Sequence, residues 1–303
     1  MNASLRKAVG KPAWIVLALG TGALFPQLKC NAVVSVSLML MLTMNFMRLD
    51  FRRMRPHPTH AILLILNILF AIGPFLLLRP LNPALAEAAF WTGIAPTAIS
   101  AAVFTGFLGG SESYVLTSFL FSNILIPMML PLLLPMLSPD VAFSLSTILD
   151  IARGIVKLVG VPLLIGQAIH WLGGSRLKRV PPRFFSATTF VLWVAMLLCI
   201  AANASDFIRS HEEGQGHGRV IVGIALMGAV LAVLNFGVGS LLPPKTFKQE
   251  NCQSLGQKNT SLAICLALAY GSPIAALGPT FYVFYHNIWN AIQLFLHIRK
   301  TAK

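Results

Sequence analysis

The chain has 303 residues, of which 56% are hydrophobic and 11% are charged, and its mean hydropathy is +0.76. A soluble protein of this length does not need so much apolar surface, and its exterior would carry more charge. The composition therefore excludes an ordinary soluble domain and predicts an all-α, polytopic membrane protein. The net charge of +14 would suggest a nucleic-acid partner in a soluble domain, but in a membrane protein basic residues report topology.

Ten segments are apolar and long enough, or nearly so, to cross a hydrocarbon core of about 30 Å. They lie at about 13–28, 31–49, 59–80, 84–108, 112–137, 144–172, 184–207, 219–242, 249–271 and 273–298. The first has the charge-then-apolar order of a signal peptide, but no small-x-small cleavage site follows it. We interpret it as an uncleaved first span, so the sequence predicts ten transmembrane helices in a single membrane domain, 1–303.

The basic residues predict the orientation of these spans. If the N-terminus is cytoplasmic, sixteen of the 23 lysines and arginines fall in cytoplasmic segments. This is the positive-inside bias, and it predicts a multi-pass protein of the plasma (inner) membrane with both termini cytoplasmic and the loop 206–219 outside. Because topology explains the basic excess, no nucleic-acid partner is predicted, and the expected environment is the lipid bilayer.

Ten spans divide into two sets of five, 1–140 and 141–303, which have opposite orientations because five is odd. Such inverted repeats are typical of secondary transporters.

The fourth segment of each half is irregular. In the first half Pro96 interrupts it and Gly109-Gly110 end it; in the second half it contains the polar run QSLGQKNTSL at 253–262. Interruptions at matching places indicate a binding site near the membrane midplane.

Four stretches resemble helices of the bile acid:sodium symporter family. They are LGQKNTSLA at 255–263, FYHNIWNAI at 284–292, LNFGVGSLL at 234–242 and IVKLVGVPLLIG at 155–166. The resemblance extends from about residue 13 to residue 298. It implies a panel domain and a core domain, with discontinuous fourth and ninth helices that cross inside the core.

This chain departs from the family at the positions of its sodium ligands. The family's ninth-helix glutamate falls on Ser254 and its glutamine on Lys258. The other ligand positions fall on Ala101, Ala102, Val115, Phe119 and Leu69. Nearby oxygens could come from Thr97, Ser100, Thr117, Ser122 and Asn123, but the fourth, fifth and ninth segments hold no carboxylate well inside the bilayer. Sodium requires hard oxygen ligands and lysine offers donors only, so no sodium cofactor is expected.

Lys258 stands near the middle of its segment, which leaves three interpretations. Its ammonium could extend to an interface, as lysines near helix ends do. It could instead fill the place of a bound cation and brace the helix crossing, since a charge at that depth marks a functional site. In a variant of this second interpretation the lysine gains and loses a proton during the cycle, which would couple transport to protons.

A second charged group lies in the sixth segment. Asp150, Arg153 and Lys157 are spaced i, i+3 and i+7 and share one helical face. They form either an ion pair with a spare cation near the outer interface or the lining of a cavity that attracts anions. In the second case Arg153, Lys157 and Lys258 together would favour an anionic solute.

The predicted function is secondary transport of small organic anions by alternating access. The predicted solute-binding residues are Thr97, Ser100, Ser254, Asn259, Thr260 and Asn287, although the pair His286-Asn287 also suits a helix–helix contact. Helix N-termini at the breaks would supply donors for a carboxylate. The alternatives are a sodium-coupled symporter with rearranged ligands and a non-transporting sensor or assembly module.

No enzyme is predicted, because the sequence lacks Walker-type loops, zinc-protease motifs and a nucleophile elbow. No metal site is predicted either. The loop 206–219 contains His211, Glu212, Glu213 and His217, and it is interpreted as a solvated outer loop.

Overall fold

A computed structural model describes residue 14 and residues 17–137, 144–179, 181–210 and 217–301. Throughout these residues the regular structure is helical, apart from one isolated bridge between Thr97 and Lys258. The all-α class predicted from composition is confirmed. The predicted boundary between residues 140 and 141 lies outside the described residues. The same is true of residues 211–216 of the predicted outer loop and of the basic N-terminal segment.

The helices are numbered here in chain order. They are α1 (17–24), α2 (Asn31–Met47), α3 (Pro58–Leu78), α4 (Pro83–Ile94), α5 (Ser100–Phe107), α6 (Glu112–Leu137), α7 (Leu145–Ile155), α8 (Val161–Arg179), α9 (Pro182–Ser210), α10 (His217–Leu241), α11 (Lys248–Gly256), α12 (Thr260–Tyr270) and α13 (Leu277–Thr301). A π-helical turn, Val156–Gly160, joins α7 to α8.

Four helical stretches of the described chain are long and apolar enough to cross a membrane unbroken: Pro58–Leu78, Glu112–Pro135, Ala187–Phe207 and Gly218–Leu241. The outer face of α10 illustrates the exposed apolar surface of these stretches. Val222, Leu226, Val230 and Val233 are each between 58% and 63% exposed, and their spacing places them on one stripe of the helix. A continuous apolar stripe of this kind suits contact with hydrocarbon, and we conclude that the chain is an integral membrane protein.

The fourth predicted span is divided into α4 and α5. Pro96 causes the break, because proline has no backbone N–H and disfavours the helical conformation in the residue before it. Ala95 accordingly has an extended ψ of 126°. Gly109 follows the end of α5 with a φ of +78°, a left-handed conformation that glycine adopts without steric cost.

The ninth predicted span is divided into α11 and α12. α11 ends at Gly256, and Gln257 and Lys258 then leave the helical path. Asn259 starts α12 as its N-cap, because its side-chain oxygen accepts the backbone N–H of Leu262 at 3.3 Å. A helix restarts here because an asparagine satisfies one of the free amide groups of the new first turn.

α3 and α4 pack against each other at very short range. Gly93 makes this possible, because a Cβ atom at this position would overlap the carbonyl oxygen of Phe70 on α3. Elsewhere α2 packs against α8 and α9, while α10 packs against α4, α11 and α13. The close approach of α3 and α4 positions the groups that surround the break in the ninth span.

We predict that Gly93→Ala lowers the thermal unfolding midpoint by several degrees. Overpacking typically destabilises by about 1–3 kcal/mol, and here the clash is with backbone that has little freedom to move. Gly73→Ala in α3 is the matched control, because a Cβ atom at Gly73 meets nothing within 4 Å. Thermal unfolding in detergent measures both variants, and equal midpoints would contradict the close α3–α4 packing.

Candidate functional site at the crossing of two broken helices

The two breaks pair with each other through backbone hydrogen bonds. The N–H of Asn259 donates to the carbonyl of Pro96 at 2.6 Å, and the N–H of Ala98 donates to the carbonyl of Gln257 at 2.8 Å. These two bonds flank the antiparallel bridge described above. The pairing gives hydrogen-bond partners to backbone N–H and C=O groups that each break would otherwise leave unpaired. Buried backbone groups require such partners.

Neighbouring helices brace this pairing with side chains. Asn123 of α6 donates its amide to the carbonyl of Thr97 at 2.7 Å, and its oxygen accepts the amide of Asn259 at 2.7 Å. Ser122, also on α6, accepts the N–H of Thr97 at 3.0 Å. On the other side, Tyr282 of α13 donates its hydroxyl to the last carbonyl of α11 at 2.7 Å. The breaks are therefore held as one fixed unit.

Lys258 lies at the centre of this unit and is 1% exposed. Its Nζ donates to Oδ1 of Asn67 on α3 and, at 3.1 Å, to the carbonyl of Gly93 in the last turn of α4. The C-terminal end of a helix carries partial negative charge, so this position suits an ammonium group. Among the ion pairs of the described residues, none includes Lys258.

Asn67 was not singled out from the sequence. The resemblance placed the family's third-helix glutamine on Leu69, but Leu69 is 55% exposed whereas Asn67 is 1% exposed and contacts Lys258. The available signal was the lone amide in the apolar run ILLILNILF. The acceptors of Lys258 thus come from α3 and α4, and the ammonium does not extend to an interface.

Three of the predicted solute-binding residues are buried in the crossing. Thr97 donates its hydroxyl to the backbone carbonyl of Ser254 at 2.7 Å, and Thr260 lies in the first turn of α12. Two side-chain oxygens, Oγ of Ser254 and Oε1 of Gln257, are buried with no hydrogen-bond partner among the described residues. Either oxygen could accept a hydrogen bond from water or from a small ligand.

Two further predicted residues form the accessible edge of the crossing. Ser100 is exposed, and its hydroxyl accepts the amide of Gln257 at 2.7 Å. Asn259 is half-buried. A solute that approaches the breaks therefore meets Ser100 and Asn259 first.

The structure does not bring the remaining predicted residues to the breaks. Asn287 is exposed and donates to the carbonyl of Val283 in its own helix at 2.7 Å. Arg153 is exposed and pairs with Asp150 at 3.0 Å, and Lys157 is exposed in the π-helical turn. Arg153 and Lys157 therefore add nothing to the buried charge, which is a correction to the balance expected from the sequence.

Four of the positions aligned with sodium ligands lie in packed apolar surroundings. Ala101, Ala102 and Val115 are in one buried cluster with Leu255, and Phe119 belongs to a second cluster. None of the side chains at these four positions carries an oxygen atom.

Two carboxylates that the sequence analysis did not use hold the far ends of the broken helices. Glu250 of α11 accepts the N–H of Ser111, which follows α5, at 2.7 Å. Glu87 of α4 accepts the N–H and the hydroxyl of Ser272, which follows α12, at 2.8 and 2.7 Å. A Gly-Ser dipeptide after each short helix was the available sequence signal.

Comparison with known proteins identifies a family but no individual relative. The sequence model of the SBF-like CPA transporter family matches residues 41–297, which is most of the chain. This confirms the resemblance to bile acid:sodium symporters. No curated protein matches the chain.

We predict that Asn67→Leu destabilises the protein because it leaves a donor of a buried ammonium unpaired. The expected loss is about 1–3 kcal/mol or more, since the group is charged. In a Lys258→Met background the same substitution should have little effect, and a double-mutant cycle on unfolding free energies measures the difference. Asn287→Leu, on an exposed asparagine, is the control. Additive effects of the two substitutions would contradict the contact.

Proposed function

The chain belongs to the SBF-like CPA transporter family, whose members are membrane transporters rather than enzymes, and we propose that this member is a secondary transporter of small organic anions. The observation that carries the proposal is the position of Lys258. A fixed ammonium lies between α3, α4 and the two paired breaks, at the sequence position of a sodium ligand in the bile acid:sodium symporters that this chain resembles. In this account the ammonium replaces the bound cation, and the protein does not use sodium.

The ten-span, inverted-repeat architecture is part of the proposal. In each half a broken pair of helices is followed by Gly-Ser, and that serine's N–H binds a glutamate from the other half. Matching serine–glutamate hydrogen bonds at opposite ends of the crossing are what an inverted repeat of 1–140 and 141–303 would produce.

The helix packing supports a division into panel and core. α2 packs against α8 and α9, whereas α3 packs against α4 and α6, and α10 packs against α4, α11 and α13. The first group would be the panel and the second the core that carries the crossing. Alternating access would then be a movement of one group against the other.

The hydrogen bonds at the crossing favour transport without sodium. Two oxygens at the crossing that a sodium ion could use already accept protein donors: the carbonyl of Thr97 accepts Asn123, and the side-chain oxygen of Asn123 accepts Asn259. A sodium ion would have to displace these donors, and it would lie close to the Lys258 ammonium. Like charges at such range repel by several kcal/mol at an effective dielectric constant of about 20.

The same charge favours an anionic solute. Lys258 has no buried carboxylate partner among the described residues, so the field at the accessible edge of Ser100 and Asn259 is positive. α5 and α12 both start at the breaks, and helix N-termini add donors and partial positive charge. A small carboxylate or sulfonate fits this chemistry. The variant in which Lys258 releases a proton would make the protein a proton-coupled symporter.

The orientation of the chain is proposed from its basic residues. The excess of lysine and arginine in alternate loops supports cytoplasmic termini in a plasma (inner) membrane.

We predict that uptake of the transported solute is independent of sodium. A panel of radiolabelled mono- and dicarboxylates and sulfonates would be tested in proteoliposomes, with sodium, potassium or N-methylglucamine as the external cation. Equal uptake in all three media is expected, and a protonophore separates the fixed-charge account from the proton-coupled one. Saturable uptake that only sodium supports would contradict the proposal and favour a symporter with rearranged ligands. Absence of uptake of every solute would favour a non-transporting module.

We predict that Lys258→Met reduces uptake at least tenfold while the protein still inserts and folds. The substitution keeps length and apolar bulk but removes the charge, and a loss of about 1.4 kcal/mol already corresponds to tenfold in rate. Lys248→Met, on an exposed lysine at the start of α11, is the matched control and should transport normally.

Lys258→Arg tests the nature of the charge, because arginine keeps the charge but does not release a proton. Retained uptake in Lys258→Arg, with the same lack of response to a protonophore as in the wild type, supports the fixed charge. Normal uptake by Lys258→Met would show that the ammonium has no role in transport.

A further inference from the structure

A cavity of about 620 Å³ opens at the end of the helix bundle where α2 ends and α3 and α6 begin. It lies beside the connection between α2 and α3 and is separate from the crossing of the breaks. Its lining includes the side chains of Arg52, Arg55 and His57 from that connection and Ser113 from α6. Its volume is in the range of small-molecule sites.

The walls of this cavity are fixed by ring contacts and hydrogen bonds. The ring of Tyr114 stacks on Phe247 with centroids 4.5 Å apart, and His57 meets Phe247 edge-on at 5.1 Å. The backbone N–H of Arg55 donates to the hydroxyl of Thr117 on α6 at 3.1 Å. The connection is therefore held against α6 before any ligand binds, which lowers the entropic cost of binding.

The polar groups that line the cavity are predominantly hydrogen-bond donors. Both guanidinium groups are exposed, and neither Arg52 nor Arg55 is in an ion pair within the described chain. His57 accepts the N–H of Thr59 at its Nδ1, so in the neutral ring the proton is on Nε2, which remains a donor. The hydroxyl of Ser113 adds another donor.

No carboxylate is among the lining residues of the cavity. Asp50 is close in the chain, and its side chain accepts the backbone N–H of Arg52 at 3.1 Å. Glu250 is buried and engaged by the N–H of Ser111, and the side chain of Glu112 lies against Gly106 of α5. Neither glutamate is among the lining residues. The lining therefore includes two arginines and no carboxylate, and this charge would attract anions.

We propose that this cavity binds a phosphate group. Two guanidinium forks recognise phosphate oxygens in bidentate fashion, and the imidazole and hydroxyl donors suit the remaining oxygens. The stacked pair of Tyr114 and Phe247 forms the apolar part of the wall. The group could belong to the headgroup of an anionic phospholipid or to a soluble phosphate compound, because both present the same chemistry.

Binding here would connect the α2–α3 connection to α6 and α11. The hydroxyl of Tyr114 lies 2.8 Å from that of Thr59 on α3 and 2.7 Å from Oδ1 of Asn251 on α11. Tyr114 therefore links the wall of the cavity to α11, the helix that ends at the second break. The site is independent of the proposed transport function, and its test does not use transport.

The first arm of the test uses inorganic phosphate and the full chain purified in a neutral detergent. Potassium phosphate should raise the thermal unfolding midpoint relative to potassium chloride of equal ionic strength, because a ligand that binds only the folded state stabilises it. The double variant Arg52→Gln/Arg55→Gln should weaken the apparent affinity at least tenfold. Arg299→Gln, an exposed arginine of α13, is the matched control and should respond like the wild type.

The second arm distinguishes the two sources of the phosphate group. Nanodiscs of phosphatidylcholine are compared with nanodiscs that also contain phosphatidylglycerol, and native mass spectrometry counts the lipid retained. If the wild type retains phosphatidylglycerol and the double variant loses it, the site binds a lipid headgroup. If only inorganic phosphate gives a response, the ligand is a soluble phosphate compound. The proposal is overturned if neither probe binds, or if the double variant binds both as well as the wild type does.

Discussion

A buried ammonium group with no carboxylate partner among the described residues is the constraint around which the centre of this protein is arranged. Moving such a charge out of water costs several kcal/mol even after relaxation. Lys258 recovers part of that cost from Oδ1 of Asn67, the carbonyl of Gly93 and the negative end of α4. Gly93 has no side chain, which allows α3 and α4 to approach closely enough to supply both acceptors.

The pairing of the breaks and the position of the charge depend on each other. Lys258 belongs to the backbone bridge with Thr97, so the peptide that carries the ammonium is also the one that holds the two broken helices together. In a symporter that binds sodium, an ion that arrives and leaves would complete such a crossing. In the proposed mechanism the covalently attached ammonium of Lys258 takes the place of that ion, so transport would not use the ion's gradient as an energy source.

The glutamates place matching restraints at the two far ends of the crossing. Each turn after a short helix donates a serine N–H to a carboxylate from the opposite half, Glu250 at one end and Glu87 at the other. Hydrogen bonds to a charged acceptor are stronger than those between neutral groups. The restraints therefore connect the two halves of the chain at both ends of the crossing.

Local signals in the sequence were sufficient to locate the breaks. Pro96 and the polar run around Lys258 act on the backbone within one or two residues, so the ends of α4 and α11 could be predicted from them. The rotation of each helix about its axis depends on packing across the bundle, which no local pattern encodes. The sequence could not show that Asn67, rather than Leu69, faces the lysine, or that Asn287 lies on an exposed face.

The charged residues of the sixth span show the same limit of prediction from local sequence. The spacing of Arg153 and Lys157 predicted one helical face, but the direction of each side chain is set by the π-helical turn Val156–Gly160 and by the contacts of α7 and α8 with other helices. Glu250 was overlooked for a related reason. No local pattern showed that it is buried and accepts the N–H of Ser111 from the turn after α5.

Amide hydrogen exchange at the breaks tests the role of the ammonium most directly. The N–H groups of Ala98 and Asn259 form the two backbone bonds between the breaks, so their exchange rates report how often the pairing opens. The account predicts faster exchange at both amides in Lys258→Met than in the wild type, with unchanged exchange in Lys248→Met. Equal protection of Ala98 and Asn259 in the wild type and in Lys258→Met would show that the charge does not hold the crossing, and would contradict the account.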